Sequence, residues 1–206
     1  MKHYTIADHA IQFDPLKHRY TVDGFPVESI SKIVDVHIPR NIKKIDSEIL
    51  RIAAEKGNEL HDMIENYERF GIKTYHPEMQ GYLAVKNQHQ IDVIDNEKIV
   101  LIHHHGVIIA AGTFDMIIQS PYIKGLGIAD IKRMAHLDEA RIKLQLNLYK
   151  LAYEQTYKQR IDYLKCFHIR QRYHAYVDVP IDVDYTKDVL DQYINTHPID
   201  YTKFMT

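Results

Sequence analysis

Tryptophan is absent from the 206-residue chain, and cysteine occurs once, as Cys166. One thiol cannot close an intrachain disulfide, and alone it cannot supply a four-thiolate zinc or iron–sulfur site. A reducing setting is therefore expected. No apolar run approaches the roughly 18–20 residues of a membrane span, and Met1-Lys2-His3-Tyr4 lacks the apolar core of a signal peptide. The expectation is a soluble, cytoplasmic chain with no membrane partner. A G-x-x-x-x-G-K-[ST] loop is missing, which excludes a P-loop motor within this sequence. Internal repeats, low-complexity tracts and Gly/Ser linkers are missing too, predicting one domain over residues 1–206. Net charge is small, −2, which by itself speaks against a nucleic-acid partner.

What is present qualifies that last point. From Lys124 to Arg172 there are 11 Lys and Arg against 5 Asp and Glu, and elsewhere 15 against 23. A basic middle-to-late segment in an acidic chain can make a positive face for phosphates, or be a solvated asymmetry without function.

Hydrophobic periodicity predicts an order of elements. An N-terminal β-hairpin spans about 10–28, with Ala10–Phe13 and Arg19–Val22 around a turn at Asp14-Pro15-Leu16, then a tight turn at Asp23-Gly24. A short helix capped by Ser29 or Ser31 follows. A long helix opens at Asp46 or Ser47 with one apolar face, Ile49, Ile52, Ala53, Gly57, Leu60 and Ile64. Next come a helix over Pro77–Gln88 and strands at 99–103, 107–111, 113–118 and 127–133. A helix over 138–157, strands at 163–169 and 175–179, and a last helix near 186–194 complete the chain. This order predicts an α/β (α+β) fold, a mixed central sheet flanked by helices.

The segment Gly127-Ile128-Ala129-Asp130-Ile131-Lys132 carries the chemistry. Strand alternation puts Asp130 and Lys132 on one face. A second acid, Asp115, sits in another apolar strand, and a hairpin around 121–125 would bring it beside Asp130. Two converging carboxylates repel unless a cation lies between them, and an oxygen-liganded divalent ion activates water. A lone D-x-K is otherwise an ordinary edge-strand ion pair.

The flanks extend the pattern: Gly112-Thr113-Phe114-Asp115, then Ala129-Asp130-Ile131-Lys132, then Gln145 and Tyr149 four apart on one helix face, preceded by Gly57-Asn58-Glu59-Leu60-His61. In this order the residues resemble the PD-(D/E)xK nucleases, in particular the RecB-like, phage-type exonuclease branch. His18-Arg19-Tyr20-Thr21-Val22-Asp23-Gly24 resembles the opening hairpin of small phage members, so the likeness runs from about residue 10 to 153. It implies a restriction-endonuclease-like core over about 46–180. It further implies a Mg²⁺- or Mn²⁺-dependent deoxyribonuclease, with His61, Asp115, Asp130 and the backbone carbonyl of Ile131 as metal ligands. Lys132 would position the attacking water, and Gln145 and Tyr149 would shape the site. Glu97 stands where some members carry an extra acid, and Arg141 and Lys143 are candidate phosphate contacts. The expected partners are DNA and phage recombination or replication proteins, in the cytoplasm of a bacterial host for a phage member. Phe114 replaces the Pro of the motif, and the four-Cys iron–sulfur staple of some relatives is missing, so no iron–sulfur cluster is expected. A catalytically silent DNA-binding or scaffolding protein of the same fold is the alternative, and a hydrolase of some other phosphodiester a third.

Other features have plainer readings. His103-His104-His105 alternate in direction along a strand and suit a hairpin end better than a metal site. Tyr149, Tyr153 and Tyr157 read as a packing stripe.

Overall fold

The computed structural model describes residues 1–15, 17–40 and 45–197. Leu16, in the expected first turn, lies outside them. The elements are β1 (Lys2–Ile6), β2 (His9–Asp14), β3 (Arg19–Val22), β4 (Phe25–Ser29), α1 (Ile30–His37), α2 (Ser47–Phe70) and α3 (Pro77–Gln88). They continue with β5 (Asp92–His104), β6 (Val107–Ser120), β7 (Ile123–Lys132), α4 (Glu139–Tyr157), β8 (Tyr163–Arg170), β9 (Tyr173–Val179) and α5 (Val183–Thr196). The fold is α/β: a nine-stranded mixed sheet with helices on both faces. Among the described residues no helix is long and apolar enough to cross a membrane.

Two differences from the expected elements have physical causes. The N-terminal hairpin is a four-stranded antiparallel meander, because β1 pairs with β2 in front of it. β1 is exposed along nearly its whole length, so it has no alternation to betray it. The strands expected at 107–111 and 113–118 are one strand, β6. Gly112 reads as a break in sequence, yet its φ is not among the positive ones and the ladder passes straight through it, Gly112 pairing with Val100.

The sheet order is β1-β2-β3-β4-β6-β7-β8-β9, with β5 along the other edge of β6. β6 therefore shares one edge between two partners. Parallel β4 takes Ala110 and Ala111, and antiparallel β7 begins at Met116, opposite Ala129. Residues 112–115 lie at the fork where those strands part. On one face α1, α4 and α5 pack with Phe114, Ile128 and Cys166. On the other, α2 and α3 cover Met116, Ala129, Ile131 and Phe167. α4 is tied down onto β5 by side chains: Thr156 bonds both backbone groups of Leu101, and Gln155 both of His103. These bonds satisfy edge-strand groups that would otherwise need water, and they hold the Gln145–Tyr149 face over the fork.

The long helix departs from its predicted packing. Its N-cap is Asp46 and it ends at Gly71 in the left-handed region, φ 67. Leu60 and Ile64 are buried as their spacing predicts, whereas Ile49 is 61% and Ile52 39% exposed. The body of the protein reaches only the second half of the apolar face.

Candidate active site

The β6–β7 ladder ends at Met116 opposite Ala129, and Asp115 and Asp130 are the residues immediately beyond it. The Ile131 N–H donates to Asp115 Oδ2 at 2.6 Å. Lys132 Nζ lies 2.5 Å from Asp130 Oδ2. This buried ion pair is the contact that compensates Asp130 Oδ2. His61 enters from α2, with Nε2 3.1 Å from the Ile131 carbonyl and Nδ1 3.3 Å from Asp115 Oδ1. A helix and two strands thus place His61, Asp115, Asp130, Ile131 and Lys132 together.

Burial and charge oppose each other at every member. Burial alone would depress His61, but the charges of Asp115 and Asp130 raise it to about 9. Burial disfavours an ionised Asp115, yet the His61 charge and hydrogen bond hold its carboxyl below the usual range. Asp130 goes the other way: burial raises it, and Lys132 only partly opposes. Lys132 would lose its charge to burial but for Asp130 and Asp115, which raise it. The cluster is two carboxylates against two cations, each pair compensating a desolvation cost. Among the described residues no three His, Cys, Asp or Glu side chains are gathered as a cation cage.

Glu97 joins the cluster from β5. Its neighbours Asn96 and Lys98 pair with Met116 and Phe114, which leaves Glu97 opposite Asp115. Its φ of 51 is unusual for a non-glycine residue inside a strand. Burial first, then Asp115 and Glu65, push its carboxyl up to about 7. Glu65 is a group the sequence reading passed over. It stands four residues after His61, on the same side of α2, and that spacing was the available signal.

Gln145 and Tyr149 reach the fork from α4. Gln145 Nε2 donates to Tyr149 OH at 3.3 Å, and burial raises the Tyr149 hydroxyl, with Asp130 and Asp115 adding to it. Gly112 makes this possible, since a Cβ there would stand 2.9 Å from Tyr149 Cε1 and from Ile30 Cδ1. Tyr20, also missed in sequence, bonds Thr113 Oγ1 through its hydroxyl at 3.0 Å and closes the fork from the meander side. Tyr149 and Tyr153 are both in the core.

The two expected phosphate contacts lie elsewhere in the bonding network. The Arg141 guanidinium donates to the Ile38 carbonyl and pairs with Asp35, bracing α4 against the end of α1, and its side chain is 13% exposed. Lys143 pairs with Asp182 at 2.6 Å and lies over the Tyr185 ring. His105 and Gly106 form the β5–β6 turn, both at positive φ, and the His103 ring stands 6.2 Å from that of His9. Cys166 is buried beside Asp130 on the β7–β8 ladder, and burial raises its thiol.

No family model matches the chain, and no curated protein matches it. A solved structure described as "Crystal structure of SSO0001" is similar at 16% identity with a TM-score of 0.45, covering 82% of this chain and 75% of that one. That likeness is too slight to speak for fold or function.

Proposed function

We propose that the chain is a metal-dependent DNA nuclease of the PD-(D/E)xK type, RecB-like branch, hydrolysing phosphodiesters at Asp115, Asp130 and Lys132. One observation carries the reading: two acids just past the last rung of the β6–β7 ladder, a lysine on one of them and a histidine on the other, all at a fork in the sheet. Structural ion pairs gain little from such an arrangement, because burying two carboxylates side by side is costly.

Mg²⁺ or Mn²⁺ fits this set. The donor set is of the right chemistry, because hard cations favour carboxylate and carbonyl oxygens, although Asp130 Oδ2 now faces the Lys132 ammonium at 2.5 Å. His61, Asp115, Asp130 and the Ile131 carbonyl would hold the ion, with Glu97 on β5 as a further candidate. Bound there, such an ion supplies a water of lowered pKa and a counter-charge for the phosphate.

The remaining work falls to the chain. Asp115 and His61 grip the Ile131 N–H and carbonyl, which fixes the end of β7 and with it the Lys132 backbone. The Lys132 ammonium, charged at neutral pH, orients a water and faces the negative charge that grows on the phosphate oxygens. Gln145 holds the buried Tyr149 hydroxyl at the fork, which shapes the site from behind. DNA is the partner proposed for this chemistry.

The test is cleavage of end-labelled linear and circular DNA, single- and double-stranded, with Mg²⁺, Mn²⁺ or EDTA, beside Asp130→Ala. Metal-dependent loss of linear substrate alone, abolished in the variant, is the expected result for an exonuclease. Nicking of circles would make it an endonuclease. One observation favours a second reading, a silent DNA-binding protein: His61–Asp115 and Lys132–Asp130 already balance their charges. Binding without cleavage in either metal would select it.

A further inference from the structure

The basic surplus between Lys124 and Arg172 is not spent at Arg141 and Lys143, which are paired with Asp35 and Asp182. It collects instead at the end of the sheet where the acids lie. From Lys132 to Leu137 and from His168 to Val177 there is no Asp or Glu, against Lys132, Arg133, Arg170, Arg172 and three histidines. Arg133 is taken by Glu78 of α3. Arg170 donates to the Ala135 carbonyl at 3.3 Å, and among the described residues neither Arg170 nor Arg172 has a carboxylate partner. Both are exposed.

The sheet ties these arginines to the reacting end of β7. β7 and β8 run parallel and stop together, with Lys132 beside His168. Two residues further on, Arg170 faces Tyr173 across the β8–β9 turn, Gln171-Arg172. Ladder partners and alternate residues share a face, so Lys132, His168, Arg170 and Tyr173 lie on the face that carries Asp130. Side chains make the same link. His168 Nε2 donates to the Met134 carbonyl at 2.7 Å, two residues past Lys132, and the His168 ring meets that of Tyr173 at 5.0 Å and 65°. Tyr173 is nevertheless 51% exposed. From Lys132 to Tyr173 the path is two strands across and two residues along, roughly 12 Å between Cα atoms. A stacked DNA strand covers that in three or four nucleotides at about 3.4 Å each.

Charge and ring together specify the occupant. Guanidinium groups without carboxylates attract phosphates. An exposed aromatic ring stacks a base only where that base is unpaired, because a duplex keeps its base faces covered by their neighbours. Resting on the nuclease reading for the place of the scissile phosphate, we propose that the β8–β9 turn is a platform for a single DNA strand. Arg170 and Arg172 take phosphates flanking the one being cut, and Tyr173 stacks an unpaired base. Single-stranded DNA, or a frayed end, is then the substrate form, and stacking of this kind carries no strong base preference.

The test is fluorescence anisotropy in EDTA with labelled oligothymidylate and a labelled hairpin duplex, on wild type, Arg172→Gln, Tyr173→Ala and Tyr173→Phe. Lys2→Gln, on β1 at the opposite edge of the sheet, controls for charge. Arg172 and Tyr173 are exposed, so circular dichroism melts stay unchanged. Tyr173→Ala is expected to bind oligothymidylate roughly tenfold more weakly, Tyr173→Phe like wild type, and both to bind the duplex as wild type does. Arg172→Gln should flatten the slope of log affinity against log salt by about 0.7, one phosphate of a single strand, and Lys2→Gln should not. Equal oligothymidylate affinity in wild type and Tyr173→Ala would overturn the proposal, as would a wild type that prefers the duplex. Cleavage is read separately. If wild type cuts DNA and the variants bind and cut as it does, the platform falls and the nuclease stands. If wild type binds single strands through Tyr173 and cuts nothing, the platform stands and the nuclease falls.

Discussion

Replacing Gly112 with alanine puts the account of the fork under direct test. The added methyl would meet Ile30 Cδ1 and Tyr149 Cε1 at 2.9 Å and Ile30 Cβ at 3.1 Å, where carbon atoms prefer about 3.5–4.0 Å. Neither neighbour has room, as Ile30 is 0% and Tyr149 5% exposed. Overpacking of this kind costs about 1–3 kcal/mol, a fall in Tm of roughly 4–8 °C near the middle of that range for a chain of this size. The backbone is not the cause, since Gly112 has no positive φ. A double-mutant cycle separates the two explanations. Ile30→Val removes the crowded Cδ1 and alone costs about 0.5–1.5 kcal/mol. Beside Gly112→Ala it should cost nothing or restore stability, a coupling of about 1 kcal/mol. The assay is urea unfolding of the four proteins. Strict additivity, or a Gly112→Ala protein as stable as wild type, would refute the close-packing argument.

Other perturbations reach the cluster itself. Lys132→Met leaves buried Asp130 without its cation and should cost about 3–5 kcal/mol in EDTA, most of it recovered in Asp130→Asn/Lys132→Met; an unchanged melt would mean the pair is not compensating burial. In metal-free protein the His61 contribution is complete below its ordinary 6.5 and lost as pH rises through about 9, because its folded value is raised. Glu97 is likewise raised, to about 7 from 4.5, so its burial subtracts stability as pH climbs between those values. Tm in EDTA should therefore fall from pH 5 to 9, His61→Gln flattening the upper limb and Glu97→Gln the lower; a rising Tm would contradict both signs. Arg141→Ala should lower stability by about 1–3 kcal/mol through the lost bonds to Asp35 and Ile38 and leave DNA affinity alone, which binding titrations can check.

Much of the fold was legible from local rules. Ser29 and Asp46 as caps are chain-local signals, and α3 spans Pro77–Gln88 as expected. The meeting of Asp115 and Asp130 was readable for the same reason, since a hairpin needs only alternation and a turn. What escaped depends on distant chain. The bare half of α2 carries the same periodicity as the buried half, and periodicity cannot say where the body of the protein ends. Arg141 looked free because its partners lie about 100 residues away. Gly112 resembled a strand break, and only Ile30 and Tyr149 converging on it give it another purpose.

The fork also sets a sequence of events in time. The β5–β6–β7 meander is local, and closing such hairpins takes microseconds, so the two acids can meet early. His61 reaches Ile131 across 70 residues and Tyr20 reaches Thr113 across 93. Contacts that close long loops form late and slowly. A nascent or half-folded chain would thus carry its carboxylates side by side while the histidine and the meander are still unattached, and pulse-labelled hydrogen exchange should show β6 and β7 protected before α2. Under the nuclease reading, cutting ability would arrive with the final closure, and the chain would be harmless to nearby DNA until it was whole.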